Sequence, residues 1–187
     1  MDRRINAPGI VNPRYRVEPA AFYLGRMSYI DHPAAVKCVT ADGMLKILIA
    51  EDDFMIADAA EEVLLGWGYE VCGIARTVAD GVALGRLHKP DLAIIDMRLA
   101  DGGSGTEIAA QLKGIGRLGV LYATGNSAKI MLSAADGDAC LSKPYSTAAL
   151  VRAVEIVAGM VATGAASGPF PPGFQLLRPD TTTPAGI

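Results

Sequence analysis

The chain has 187 residues, 51% of them hydrophobic, which supports one core of ordinary domain size and little beyond it. A formal net charge of -3 supplies no clustered cations for a phosphate backbone, so the expectation is no nucleic acid among the partners. The apolar stretches are shorter than a bilayer span, and Arg3 and Arg4 precede no continuous apolar run, so neither membrane insertion nor secretion is supported.

Residues 1–43 carry Pro8, Pro13, Pro19 and Pro33 at wide spacing and no sustained period of 2 or 3.6, which predicts an irregular N-terminal extension. Met44-Leu45-Lys46-Ile47 has the look of a natural beginning, so the preceding stretch reads equally as native sequence or as leader from an early start codon. From residue 45 short apolar runs alternate with helical spacing. A strand over 45–50 leads into acids and a helix over 54–67 that Gly66 and Gly68 end. A strand over 70–75 precedes Thr77, a predicted N-cap, and a helix over 78–88. A strand over 92–95, a Gly-rich loop over 101–105 and a helix over 106–113 follow. The last predicted elements are a strand over 118–123, a weak helix over 127–134, a strand over 139–142 and a helix over 147–158. The tail from 161 to 187 holds Pro169, Pro171, Pro172, Pro179 and Pro184 among Gly, Ser and Thr, and is expected to be disordered and too short for an output domain.

Five nearly all-apolar strands separated by helices predict an α/β chain, a (βα)5 doubly wound parallel sheet over residues 44–160 with both faces covered. Cys38, Cys72 and Cys140 are odd in number, lack metal-ligand spacing and read as reduced thiols in cytoplasm.

In such a sheet the ligand site lies outside the carboxyl ends of the strands. There the sequence places Glu51, Asp52 and Asp53 after the first strand, Asp96 after the third, Thr124 after the fourth and Lys143-Pro144 after the fifth. Converging carboxylates repel one another and are tolerable around a cation. Oxygen ligands with room for water favour Mg²⁺ over zinc. Lys143 adds a point charge for a phosphate-like group and Thr124 a hydroxyl donor. Asp53, one residue further on, suits a helix N-cap better than a metal ligand. His88 reads as an exposed helix end, and Trp67 with Tyr69 as a packing pair.

These residues, in this order and with Asp52 and Asp96 at the characteristic separation, resemble the receiver domain of bacterial two-component response regulators. The resemblance implies a flavodoxin-like sheet of five parallel strands in order 2-1-3-4-5. It implies that Asp96 is the phosphoacceptor, and that Asp52, Asp96 and the backbone carbonyl of Arg98 bind Mg²⁺ directly while Glu51 acts through water. Lys143 would offset charge on the transferring group, Thr124 would close onto the phosphoryl oxygen, and the Lys143-Pro144 peptide would be cis. Implied partners are a sensor histidine kinase or histidine phosphotransfer protein as donor and an unknown effector protein as target.

Two positions depart from the family pattern. Cys140 stands where many receivers carry Phe or Tyr, which removes the usual aromatic relay and leaves any switch to backbone shifts, the helix after strand 4, or other side chains such as Tyr122 or Tyr145; Ala100 stands where Pro is common. Tyr122-Ala123-Thr124-Gly125-Asn126 is similar to the Phe-Ala-Thr-Gly motif of a subgroup, often single-domain, that also lacks the aromatic. Gly125 would give the following loop freedom, with 125–135 ordering on phosphorylation or metal binding, and the receiver resemblance implies that Arg98 and Asn126 tune phosphoryl lifetime. The leading reading is a single-domain response regulator that signals by protein binding or drains a shared kinase as a phosphate sink. A degenerate receiver serving as a phosphorylation-independent scaffold is the alternative. A flavodoxin-like cofactor binder is disfavoured, because Glu51-Asp52-Asp53 would repel a phosphate.

Overall fold

The computed structural model describes residues 15–19, 36–40, 44–125 and 132–177. Two short strands, β1 (Tyr15–Pro19) and β2 (Val36–Thr40), pair antiparallel within the extension expected to be irregular. The remainder runs β3 (Lys46–Ala50), α1 (Phe54–Gly66), β4 (Glu70–Ala75), α2 (Val78–His88), β5 (Leu92–Ile95), α3 (Gly105–Leu112), β6 (Gly119–Thr124), β7 (Ala139–Ser142), α4 (Thr147–Thr163) and β8 (Phe174–Leu176). Their sheet has the order β4-β3-β5-β6-β7-β8, in which the first five strands are parallel and β8 is antiparallel to β7. The expected 2-1-3-4-5 arrangement is thus present, with a sixth strand added.

The apolar strands fold this way because both of their faces are buried. Ile47, Ile49, Leu92, Ile94, Leu121, Ala123, Ala139 and Leu141 enter one core layer with α1 and α4. Their alternating neighbours Leu48, Ala50, Ala93, Ile95, Val120, Tyr122 and Cys140 enter the other, with α2 and α3. A period of two therefore splits each run between two layers. Trp67 and Tyr69 both pack against the first layer. The helices start where side chains satisfy their orphan N–H groups: Asp53 accepts from Met55 and Ile56, Thr77 from Asp80, Ser146 from Ala149, and Ser104 forms a reciprocal capping box with Glu107. His88 is the exposed last residue of α2, as expected.

The tail departs from the expectation of disorder. Helix α4 continues to Thr163, a turn past the predicted end, because the apolar spacing persists through Val161 and Ala162, and Gly164 caps it at φ 84°. The chain then returns along the sheet. Arg152 on α4 donates to three successive carbonyls, those of Ser167, Gly168 and Pro169, at 2.9, 2.9 and 3.1 Å. Glu155 braces the same guanidinium at 3.0 Å. Phe170 stacks on Phe174 with ring centroids 5.5 Å apart, and Phe174 packs on the first core layer. The Ser142 N–H donates to Gly173 at 3.0 Å and the Leu177 N–H to Asp138 at 2.9 Å. Most of the expected weak helix over 127–134 lies outside the described residues, as do Asn126 and residues 178–187; Ala134 to Asp136 form a turn.

Removing the Arg152 guanidinium removes charge-assisted hydrogen bonds that tie the returning chain to α4. In Arg152→Ala, amide exchange at Ser142 and Leu177 should accelerate roughly tenfold relative to β5 amides, read by native-state hydrogen exchange. At the start of α3, a Cβ on Gly105 would sit 2.1 Å from the Asp96 carbonyl oxygen. Gly105→Ala should lower stability by about 2–3 kcal/mol in urea melts, since backbone rather than a flexible side chain would have to yield.

Candidate functional site

The last rungs of the parallel ladder set the positions of the site residues. The Glu51 N–H donates to the Ala75 carbonyl at 2.9 Å, Asp96 to Ala50 at 2.7 Å and Lys143 to Thr124 at 2.8 Å. Each residue is therefore the first one past a buried apolar strand, held by a neighbouring strand at the carboxyl end of the sheet. Thr124 ends β6, is 3% exposed and pairs in register with Ser142, immediately before Lys143.

The charged side chains converge. One carboxylate oxygen from each of Glu51, Asp52 and Asp96 lies within 4.8 Å of the others. Lys143 Nζ donates to Asp96 Oδ2 at 2.6 Å and also to Glu51 Oε2, so one ammonium bridges acids from two different strands. The other oxygen of Asp96, Oδ1, accepts the Arg98 N–H at 3.3 Å, which brings the Arg98 backbone to the cluster while its side chain is exposed. The Lys143-Pro144 peptide is cis. Asp53 is occupied at the α1 N-terminus, at 2.9 Å from the Met55 nitrogen. Of the residues singled out in sequence, Glu51, Asp52, Asp96 and Lys143 are thus gathered directly, Arg98 through its backbone and Thr124 through strand register.

Burial governs the electrostatics. The side chains of Lys143, Glu51 and Asp96 are 14%, 6% and 16% exposed, so water screens their interaction weakly. Burial pushes the Glu51 carboxyl above its ordinary value, and the Asp96 charge adds to this against the opposing pull of Lys143. For Lys143 burial acts downward, but the hydrogen bonds to Asp96 and Glu51 outweigh it and hold the ammonium above the usual lysine value. Three acids facing one ammonium leave two formal negative charges, which a divalent cation matches. All donors in the cluster are oxygens, the set preferred by a hard cation such as Mg²⁺, so the residues present fit that ion.

The aromatic substitutes for the missing relay are differently placed. Cys140 and Tyr122 lie side by side in register terms within the second core layer, and the Tyr122 hydroxyl donates to the Asp136 carbonyl at 3.1 Å. Tyr145 is partly buried against the first layer, and burial raises its phenol above the ordinary value. A residue the sequence reading passed over is Arg76. Its Nε and Nη2 donate to the Asp52 carbonyl at 3.2 and 3.0 Å. The available signal was position: Arg76 follows the apolar run of β4 just as Glu51 and Asp96 follow theirs.

Over 116 residues the chain is 37% identical to the transcriptional regulatory protein PdtaR of Mycobacterium tuberculosis, covering 59% of this chain and 55% of that protein. It is 32% identical over 112 residues to the phyllosphere-induced regulator PhyR of Methylorubrum extorquens, covering 59% and 42%. The chain thus spans about half the length of the curated relatives it matches. Among solved structures, a CheY-like receiver domain from Methanospirillum hungatei superposes with a TM-score of 0.56 at 26% identity, covering 64% of this chain and 97% of that one. The PhyR receiver domain from Erythrobacter litoralis shares the fold with a TM-score of 0.53 at 21% identity, covering 70% and 98%. A family model described as the response regulator receiver domain matches residues 47–155, well over half of the chain, and the protein belongs to that family.

Proposed function

We propose that Asp96 accepts a phosphoryl group in a Mg²⁺-dependent reaction, and that the chain works as a cytoplasmic single-domain response regulator. The observation that carries this reading is the Lys143 ammonium held between Asp96 and Glu51 with Asp52 close by, which is a charge arrangement built for a cation and a phosphoryl group together. The donor is a phosphohistidine on a sensor kinase or a histidine phosphotransfer protein. An Asp96 carboxylate oxygen attacks phosphorus, the donor P–N bond breaks as the O–P bond forms, and the released imidazole takes up a proton. Asp52, Asp96 and the Arg98 carbonyl would hold Mg²⁺ directly and Glu51 through water. When bound, the ion supplies charge neutralisation for the phosphoryl oxygens.

The chain's own groups do the rest. Lys143 offsets charge on the transferring oxygens, and it is already within hydrogen-bond distance of Asp96. Thr124 closes on a phosphoryl oxygen, and its movement reports phosphorylation to the outer face. The output is binding of an effector protein, or drainage of phosphoryl groups from a shared kinase. Beryllofluoride, a phosphoryl mimic, should capture a partner in the first case and none in the second.

Two outcomes are expected. Acetyl phosphate with Mg²⁺ should label the native chain on intact-mass analysis, whereas Asp96→Asn or chelation abolishes labelling; an unlabelled native chain would favour the scaffold alternative. Mg²⁺ binding should also tighten as pH rises. Burial holds the Glu51 proton to higher pH than an ordinary glutamate, and a cation must displace that proton while Lys143 stays charged, so affinity grows as pH rises above the usual glutamate range, with proton release. Calorimetric titration in buffers of different ionisation enthalpy measures both.

A further inference from the structure

We infer that Arg76 is a positioning residue for the cation at Asp52, acting through a turn that braces the two acid-bearing loops against each other. The inference rests on the metal reading above. Asp52 lies in the short gap between the end of β3 at Ala50 and the start of α1 at Phe54. Its neighbours are each anchored: the Glu51 N–H closes the β4 ladder, and Asp53 caps α1. What holds the Asp52 carbonyl is the Arg76 guanidinium, through two donors on the one oxygen. A planar fork gripping a single acceptor fixes the direction of that peptide, and the peptide sets where the Asp52 carboxylate can point.

The same turn also grips the loop after the phosphoacceptor. The Arg76 carbonyl accepts the Ala100 N–H at 3.0 Å. Two residues later the Val78 N–H donates to Asp101 Oδ2 at 3.1 Å, while Asp101 Oδ1 takes the Gly103 N–H at 3.0 Å. Thr77, between them, turns its hydroxyl to Asp80 at 2.8 Å, locking the start of α2. Residues 76–78 therefore join the loop of Asp52 to the loop that follows Asp96. A cation bound by both aspartates needs their spacing fixed before it arrives, because ordering them on binding would cost affinity.

A guanidinium near a cation site also has a repulsive effect, and the two effects have opposite signs on removal. Loss of positioning weakens binding; loss of repulsion strengthens it. The test uses the full chain and Mn²⁺ as probe, with free ion counted by electron paramagnetic resonance. Arg76→Ala should weaken Mn²⁺ binding about tenfold, the usual scale for losing a group that orients a ligand, with an unchanged melting temperature because the side chain is exposed. Arg76→Lys, which retains charge and a donor, should recover part of the loss. The Mg²⁺ concentration for half-maximal labelling by acetyl phosphate should rise in step. Unchanged or tighter Mn²⁺ binding in Arg76→Ala, with the native chain binding the ion, overturns this inference alone. A native chain that binds no Mn²⁺, or an Asp52→Asn variant that binds it as well as the native chain, overturns the metal reading and this inference with it.

Discussion

Repulsion among carboxylates at the tips of two adjacent parallel strands is the constraint around which this molecule is arranged. Glu51 and Asp52 follow β3 and Asp96 follows β5, and β3 and β5 are direct neighbours in the sheet. Their acids cannot avoid each other, and burial denies them the screening of bulk water. Lys143, directly after β7, relieves part of the strain by reaching across β6. The remainder is uncompensated charge, which is how a stable sheet comes to have a chemically demanding end.

The packing beneath serves that geometry. Helix α3 starts against the Asp96 carbonyl, an approach open to glycine alone at position 105. On the same face Gly81 and Gly85 of α2 lie against Ile108 and Leu112 of α3, where a Cβ would come within 2.5 Å of either side chain. Small residues thus let α2, α3 and the loops above them draw close, and the turn at Arg76 inherits its reach to both loops from that closeness.

Much of this was legible in the residues. Apolar runs such as Leu92 to Ile95 announced strands buried on both faces, and polar residues standing directly after those runs announced the site, because in a parallel sheet the carboxyl ends face one way. Asp53 and Thr77 were readable as caps since capping is local chemistry. What escaped was non-local. Phe174 to Leu176 is a three-residue strand among prolines, and its place depends on Arg152 catching carbonyls from another element. The ladder of Tyr15–Pro19 with Val36–Thr40 joins segments with no shared periodicity. Arg76 bonds to a main-chain oxygen 24 positions away, and a main-chain oxygen leaves no mark in a sequence.

The antiparallel return of β8 has a consequence for self-association. The family resemblance ends at residue 155, inside α4, whereas the sheet continues to Leu176. A receiver trimmed to the family's boundary would leave the outer N–H and C=O groups of β7 bare, an open template for another chain's backbone. In this chain that row is taken by a short strand preceded by Pro169, Pro171 and Pro172, residues that themselves donate no hydrogen bond. The edge of the sheet thus moves from β7 to a three-residue strand, a shorter template for the backbone of a second chain.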